Sequence, residues 1–172
     1  MTKMNNQKTV KILRQKTLKT PINCSGVALH SGEKVSITLK PAKADTGIIF
    51  KRTDIAGKGA LIPATYDNVV ETVLCTKIGN ADGVSVATIE HLMAALAGVG
   101  IDNLLVEING PEMPVMDGSA APFVFLIECA GVVELDAPRK AIRIEKPVSV
   151  EDKGRFAGFQ PGEGTVLNVT ID

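Results

Sequence analysis

Two spacings of apolar residues divide this sequence, and together they leave few folds open to it. In "GVALHSGEKVSITL", Val27 and Leu29, then Val35, Ile37 and Leu39, recur at every second position around a Ser31-Gly32 turn. That alternation predicts a β-hairpin with one buried face. In "TIEHLMAALAG", Ile89, Leu92, Met93 and Leu96 fall at i, i+3, i+4 and i+7, one face of an α-helix. Thr88 is the expected N-cap, and Gly98 and Gly100 the expected stop.

The remaining segments follow one spacing or the other. "TGIIFKRTD" reads as a strand, and "GALIPATYDNVV" and "VLCTKIGN" as short strands or loops. "NLLVEI" is a strand closed by an Asn109-Gly110 turn. "GSAAPFVFLIECAG" is a second helix, with Pro122 in its first turn and Gly131 at its exit. Strands flanking two helices predict an α+β fold, a two-layer module of antiparallel-rich sheet plus helices. Aromatic residues are 3% of the chain and Trp is absent, so its core must be built from Val, Ile, Leu and Ala.

Residues 1–16, basic and polar, are expected to form a solvated tail, and 17–136 the first module. After "LDAPRK", the stretch "IEKPVSVEDKGRFAGFQPGEGTVLNVTID" weakly echoes the order of residues 18–54: a Lys-Pro opening, a hairpin, a Pro turn and a strand ending in Asp. Residues 137–172 are therefore expected to begin a second, similar module. A complete second copy would need roughly 80 to 90 further residues.

Nineteen basic and nineteen acidic residues cancel, which with so few aromatics argues against a nucleic-acid partner. Cys24, Cys75 and Cys129 are odd in number, widely spaced and without a C-x-x-C, as suits reduced thiols. The N-terminus lacks the apolar stretch of a signal peptide, and "AAPFVFLI" is far short of the roughly 20 residues that span a bilayer. A cytoplasmic protein without a transmembrane segment is expected.

Glu90 and His91 are what helical periodicity leaves unexplained. A helix N-terminus carries partial positive charge, which suits a carboxylate and keeps an imidazole neutral, as a metal ligand requires. Neighbouring helical residues lie about 100° apart, so both can face one cleft at the helix end. A metal ligand beside a carboxylate base is the pairing used in metal-assisted hydrolysis. Yet neither H-E-x-x-H nor H-x-x-E-H is present, and a catalytic zinc wants three protein ligands. Residue chemistry alone gives half a site. His30 reads as a turn residue, Asp117-Gly118-Ser119 as a turn and N-cap, and Cys75 as a packed small residue.

Taken together, "GVALHSGEKVSITLKPA", "ETVLCTKIG", "TIEHLMAALAGVGIDNLLVEINGPEMPVMDGSAAPF" and "VEDKG" resemble the UDP-3-O-acyl-N-acetylglucosamine deacetylases, from about Gln15 to Asp172. The resemblance implies a zinc amidohydrolase that commits Gram-negative bacteria to lipid A synthesis, acting on a UDP-linked acylated amino sugar. It implies two similar α+β modules with the site between them. Glu90 maps onto the family's general base and His91 onto one zinc ligand. His30 falls near the site without binding zinc, and Val73 and Cys75 line the substrate region. Arg155 stands where the family has a lysine at the nucleotide; its planar fork is not equivalent to an ammonium.

The family's other two zinc ligands, in an H-x-x-x-D pattern, and its general-acid histidine belong to the second module and have no counterpart here. The resemblance thus predicts a chain inactive alone, with self-association through its exposed second-module strands. A non-catalytic binding module derived from the enzyme is the alternative. Loss of Glu90 and His91 would favour it, and both are present.

Overall fold

A computed structural model describes residues 13–170. Two compact units are recognised, divided after Arg139.

The first unit begins with β1 (Arg14–Leu18), β2 (Ile22–Val27), β3 (Lys34–Pro41) and β4 (Ile48–Arg52). Short strands β5 (Leu61–Pro63), β6 (Val69–Glu71), β7 (Lys77–Gly79) and β8 (Ser85–Val86) follow, with 3-10 turns at Lys58–Ala60 and Tyr66–Asn68. Helix α1 (Glu90–Val99), β9 (Leu104–Ile108), α2 (Ala121–Ala130) and β10 (Val132–Pro138) complete it.

The predicted hairpin is β2–β3, paired antiparallel from Ile22↔Leu39 to Val27↔Lys34. It forms one side of a five-stranded sheet in the order β2-β3-β9-β4-β5, antiparallel except for β4 beside β9. Alternation decides which face is buried: Val35, Ile37 and Leu39 on β3, and Leu104, Val106 and Ile108 on β9, are all within the core. Leu92, Ala95 and Leu96 of α1 and Phe123, Ile127 and Ala130 of α2 join the same apolar cluster, and the helices touch each other. The fold is α+β, with two helices and mostly antiparallel sheets, as the spacings predicted. Each fully buried Leu, Ile or Phe contributes roughly 1.5–3 kcal/mol of transfer free energy.

The smaller sheet β6-β7-β8 is antiparallel. β1 pairs with β10, from Arg14↔Pro138 to Leu18↔Val132, and Arg139 N–H closes the pair on Leu13 O at 2.7 Å. Gln15, expected in a solvated tail, is buried: its amide reaches Asp45 and Pro138 O, and it accepts from Asn103 Nδ2 at 2.8 Å. The first unit therefore extends beyond the anticipated 17–136 at both ends, because the strands at its two limits pair with each other. Of the anticipated tail, residues 1–12 lie outside the described residues.

Both helix starts differ from expectation. Ile89, not Thr88, is the N-cap of α1, and no side chain caps it. Gly98 lies inside the helix, which ends at Gly100 in a left-handed conformation (φ 81°). Ala120 is the N-cap of α2, while the Ser119 hydroxyl accepts from Ala121 N–H at 3.1 Å.

The second unit holds the hairpin of β11 (Val148–Asp152) and β12 (Arg155–Phe159), antiparallel with Asp152 opposite Arg155. Both of its strands are exposed throughout.

Candidate active site

Three backbone segments meet where β2 turns into β3. Residues 111–115 run between the hairpin and the approach to α1, bridging Ala28↔Pro114 on one side and Ala87↔Glu112 on the other. Val115 N–H donates to Val27 O, Met113 N–H to Ala87 O and Ala87 N–H to Pro111 O, all at 2.9–3.0 Å. The approach is close enough that a Cβ on Gly26 would stand 2.8 Å from Pro114 Cβ. Glycine is required there by space.

From this junction the chain enters α1, and Glu90 and His91 are its first two residues. Both are half-buried. Glu90 Oε2 accepts the Thr76 N–H at 3.0 Å, and Ile89 N–H reaches Thr76 O at 3.3 Å, which ties the helix start to the segment before β7. The His91 ring makes no hydrogen bond among the described residues, and it acts electrostatically on Asp117. Two bonds from Ser119, backbone N–H at 2.9 Å and hydroxyl at 2.8 Å, hold the Asp117 carboxyl below its ordinary range, and His91 adds to this. Asp117, expected to be only a turn residue, is thus an electrostatic neighbour of the helix start.

Left-handed backbone occurs in these same segments. Leu74 (φ 62°) and Met116 (φ 55°), next to Cys75 and Asp117, and Thr88 (φ 59°), two residues before Glu90, are non-glycine residues at positive φ. For bulky or β-branched residues such values are outliers, of a kind that gathers at functional sites.

The remaining predicted residues divide. Cys75 is half-buried and adjoins Thr76, the partner of Glu90, while Val73 is exposed on the same loop. His30 stands at the hairpin tip with Nδ1 2.7 Å from Glu112 Oε1. Arg155 opens β12 in the second unit and is exposed.

Sequence reasoning missed Glu112. A lone glutamate between Pro111 and Met113 reads as a solvated loop residue, yet it is 4% exposed. Burial pushes its carboxyl up, but the His30 backbone N–H, the His30 ring, the Ser31 N–H and the Thr88 hydroxyl outweigh burial and hold it below the ordinary glutamate range. Nothing local in the sequence announces four donors brought from positions far along the chain.

No group of three His, Cys, Asp or Glu side chains suited to a metal ion occurs among the described residues. This donor set does not by itself fit a zinc ion, which wants three protein ligands and one open position.

The first unit is an α+β scaffold that sets a carboxylate and an imidazole side by side at a helix start. Comparison with known proteins makes this specific. The family model described as LpxC, UDP-3-O-acyl N-acetylglycosamine deacetylase, matches residues 15–172. The chain is 50% identical over 161 residues to the UDP-3-O-acyl-N-acetylglucosamine deacetylase of Aliivibrio fischeri, covering 94% of this chain and 52% of the relative. The same-named proteins of Acidithiobacillus ferrooxidans and Vibrio cholerae are 53% and 49% identical, again over 94% of this chain and 52% of the relative. The chain belongs to the UDP-3-O-acyl-N-acetylglucosamine deacetylase family. It spans about half the length of the curated relatives it matches.

Proposed function

We propose that this chain supplies the general base and one metal ligand of a zinc-dependent deacetylase acting on UDP-3-O-acyl-N-acetylglucosamine, in the committed step of lipid A synthesis. The observation that carries this reading is the start of α1, where Glu90 is held by the Thr76 N–H and His91 stands beside it, its ring making no hydrogen bond among the described residues.

In this reading the amide bond between the acetyl carbon and the 2-amino nitrogen of the sugar breaks. Oxygen from water joins the acetyl carbon, which leaves as acetate, and the amine takes up a proton. Glu90 removes a proton from the attacking water, its Oε2 steadied by the Thr76 N–H. Zinc at His91, completed by ligands outside the described residues, would supply Lewis-acid polarisation. Val73 and Cys75 would border the substrate. The chain alone is inactive, self-associates through residues 140–172 and resides in the cytoplasm; no helix among the described residues is long and apolar enough to cross a membrane.

Supplying in trans the half of a relative that this chain does not span tests this. The chain alone should release no acetate from the UDP-sugar, and the reconstituted pair should do so in a zinc-dependent manner. Glu90→Ala should lower the restored rate by about 100-fold or more, as loss of a positioned base does. His91→Ala should abolish zinc retention. Full activity in both variants would sink the assignment. Substrate binding without turnover by the reconstituted pair would favour a non-catalytic module.

A further inference from the structure

We propose that Glu112 is a positioning residue that fixes both the start of α1 and the tautomer of His30. Helix α1 has no side-chain cap of its own, so its first turn must be placed from outside. Thr88, two residues before Glu90, holds left-handed backbone that a β-branched residue rarely adopts, and it is 2% exposed. Its hydroxyl donates to Glu112 Oε1 at 3.1 Å. Glu112 is itself held in the ladder beside Ala87 and at the hairpin tip, through His30 N–H at 3.0 Å and Ser31 N–H at 3.1 Å. One buried carboxylate thereby joins three segments: the β2–β3 tip, the 111–115 strand and the turn into α1.

The donors also settle the histidine's protonation pattern. Three of them converge on Oε1, and Ser31 N–H on Oε2. An ionised carboxylate only accepts, so His30 Nδ1 must carry the proton across its 2.7 Å contact. In the neutral ring Nε2 is then an acceptor at the exposed side of the tip. Glutamine cannot replace Glu112 in this setting. In either amide orientation its NH2 would face a backbone N–H, of His30 or of Ser31.

The effect on rate rests on the deacetylase reading above, but the clamp is measurable without it. In the 172-residue chain, 15N NMR should find His30 as the Nδ1–H tautomer, and Glu112→Ala, which removes the acceptor, should remove that preference. Amide exchange at Glu90, His91 and Leu92 should quicken about tenfold in Glu112→Gln and in Thr88→Val, and return to the parental rate in Thr88→Ser. Should Glu112→Gln not fold, the Thr88 pair decides. An Nε2–H tautomer in the parent, or unchanged exchange in the variants, overturns the proposal.

In the reconstituted pair described above Glu112→Gln should lower kcat about 10–100-fold, as loss of a supporting partner does, with KM within about twofold. Faster exchange with unchanged kcat would overturn the positioning role and leave the deacetylase reading intact. No deacetylation by the parental reconstituted pair would sink that reading, and the exchange data alone would then judge the clamp.

Discussion

Glu107, on β9 in the middle of the sheet, lies 2.6 Å from Lys40 Nζ of β3 and 3.2 Å from Lys51 Nζ of β4. The hydrogen bond from Lys40 comes first among the causes that hold its carboxyl below the ordinary glutamate range, with Lys51 assisting against desolvation. A carboxyl depressed in the folded state adds stability that is fully present above its unfolded value, about 4.3, and is lost as pH falls through the lower folded value. Both lysines are partly exposed, so the two pairs together are worth about 1 kcal/mol. Glu107→Gln should therefore be less stable by about that amount at neutral pH, and the difference should vanish in strong acid. Urea unfolding at the two pH values checks this; an equal loss at both would mean packing, not charge.

The exit of α1 separates two glycines that look equivalent in sequence. Gly98 sits in the last turn, exposed, with open space where a Cβ would go. Gly98→Ala should stabilise the protein by about 0.8–1 kcal/mol, the helix-propensity difference. Gly100 carries the left-handed cap, its N–H returning to Leu96 O at 2.9 Å, and an added Cβ would stand 3.2 Å from Arg139 Nη1. Gly100→Ala should cost about 1–2 kcal/mol, because L-residues are strained there. Thermal unfolding of the two variants should shift in opposite directions, and a common direction would refute the boundary. The element was legible from the i, i+3, i+4, i+7 pattern. Which glycine ends it was not, because the choice depends on φ.

Across the whole molecule, the two units differ in how much they bury. In the second, Val148, Val150, Phe156 and Phe159 are more than half exposed, up to 74% for Phe156. Exposed strands of this kind present both apolar side chains and open backbone edges to other chains. Sedimentation should find the chain self-associating at micromolar concentration, and Val150→Lys with Phe156→Lys should return it to monomer without lowering the melting temperature. Association unchanged by the pair would place the contact elsewhere. The first unit is closed by β1 and β10, an antiparallel pair drawn from its two ends.

The sequence by itself determined the elements that rest on local periodicity: the β2–β3 hairpin, β4, β9, both helices and the α+β class. It also determined the pairing of Glu90 with His91, because adjacent residues in a first turn need no tertiary information to be neighbours. Only the tertiary structure decided that Gln15 is buried, that Thr88 turns the chain instead of capping the helix, and that Asp117 is an electrostatic neighbour of His91. Burial of Glu112 was decided in the same way. Its four hydrogen-bond donors come from His30, Ser31 and Thr88, and only the meeting of hairpin tip, strand and helix start makes a buried carboxylate stable in that place.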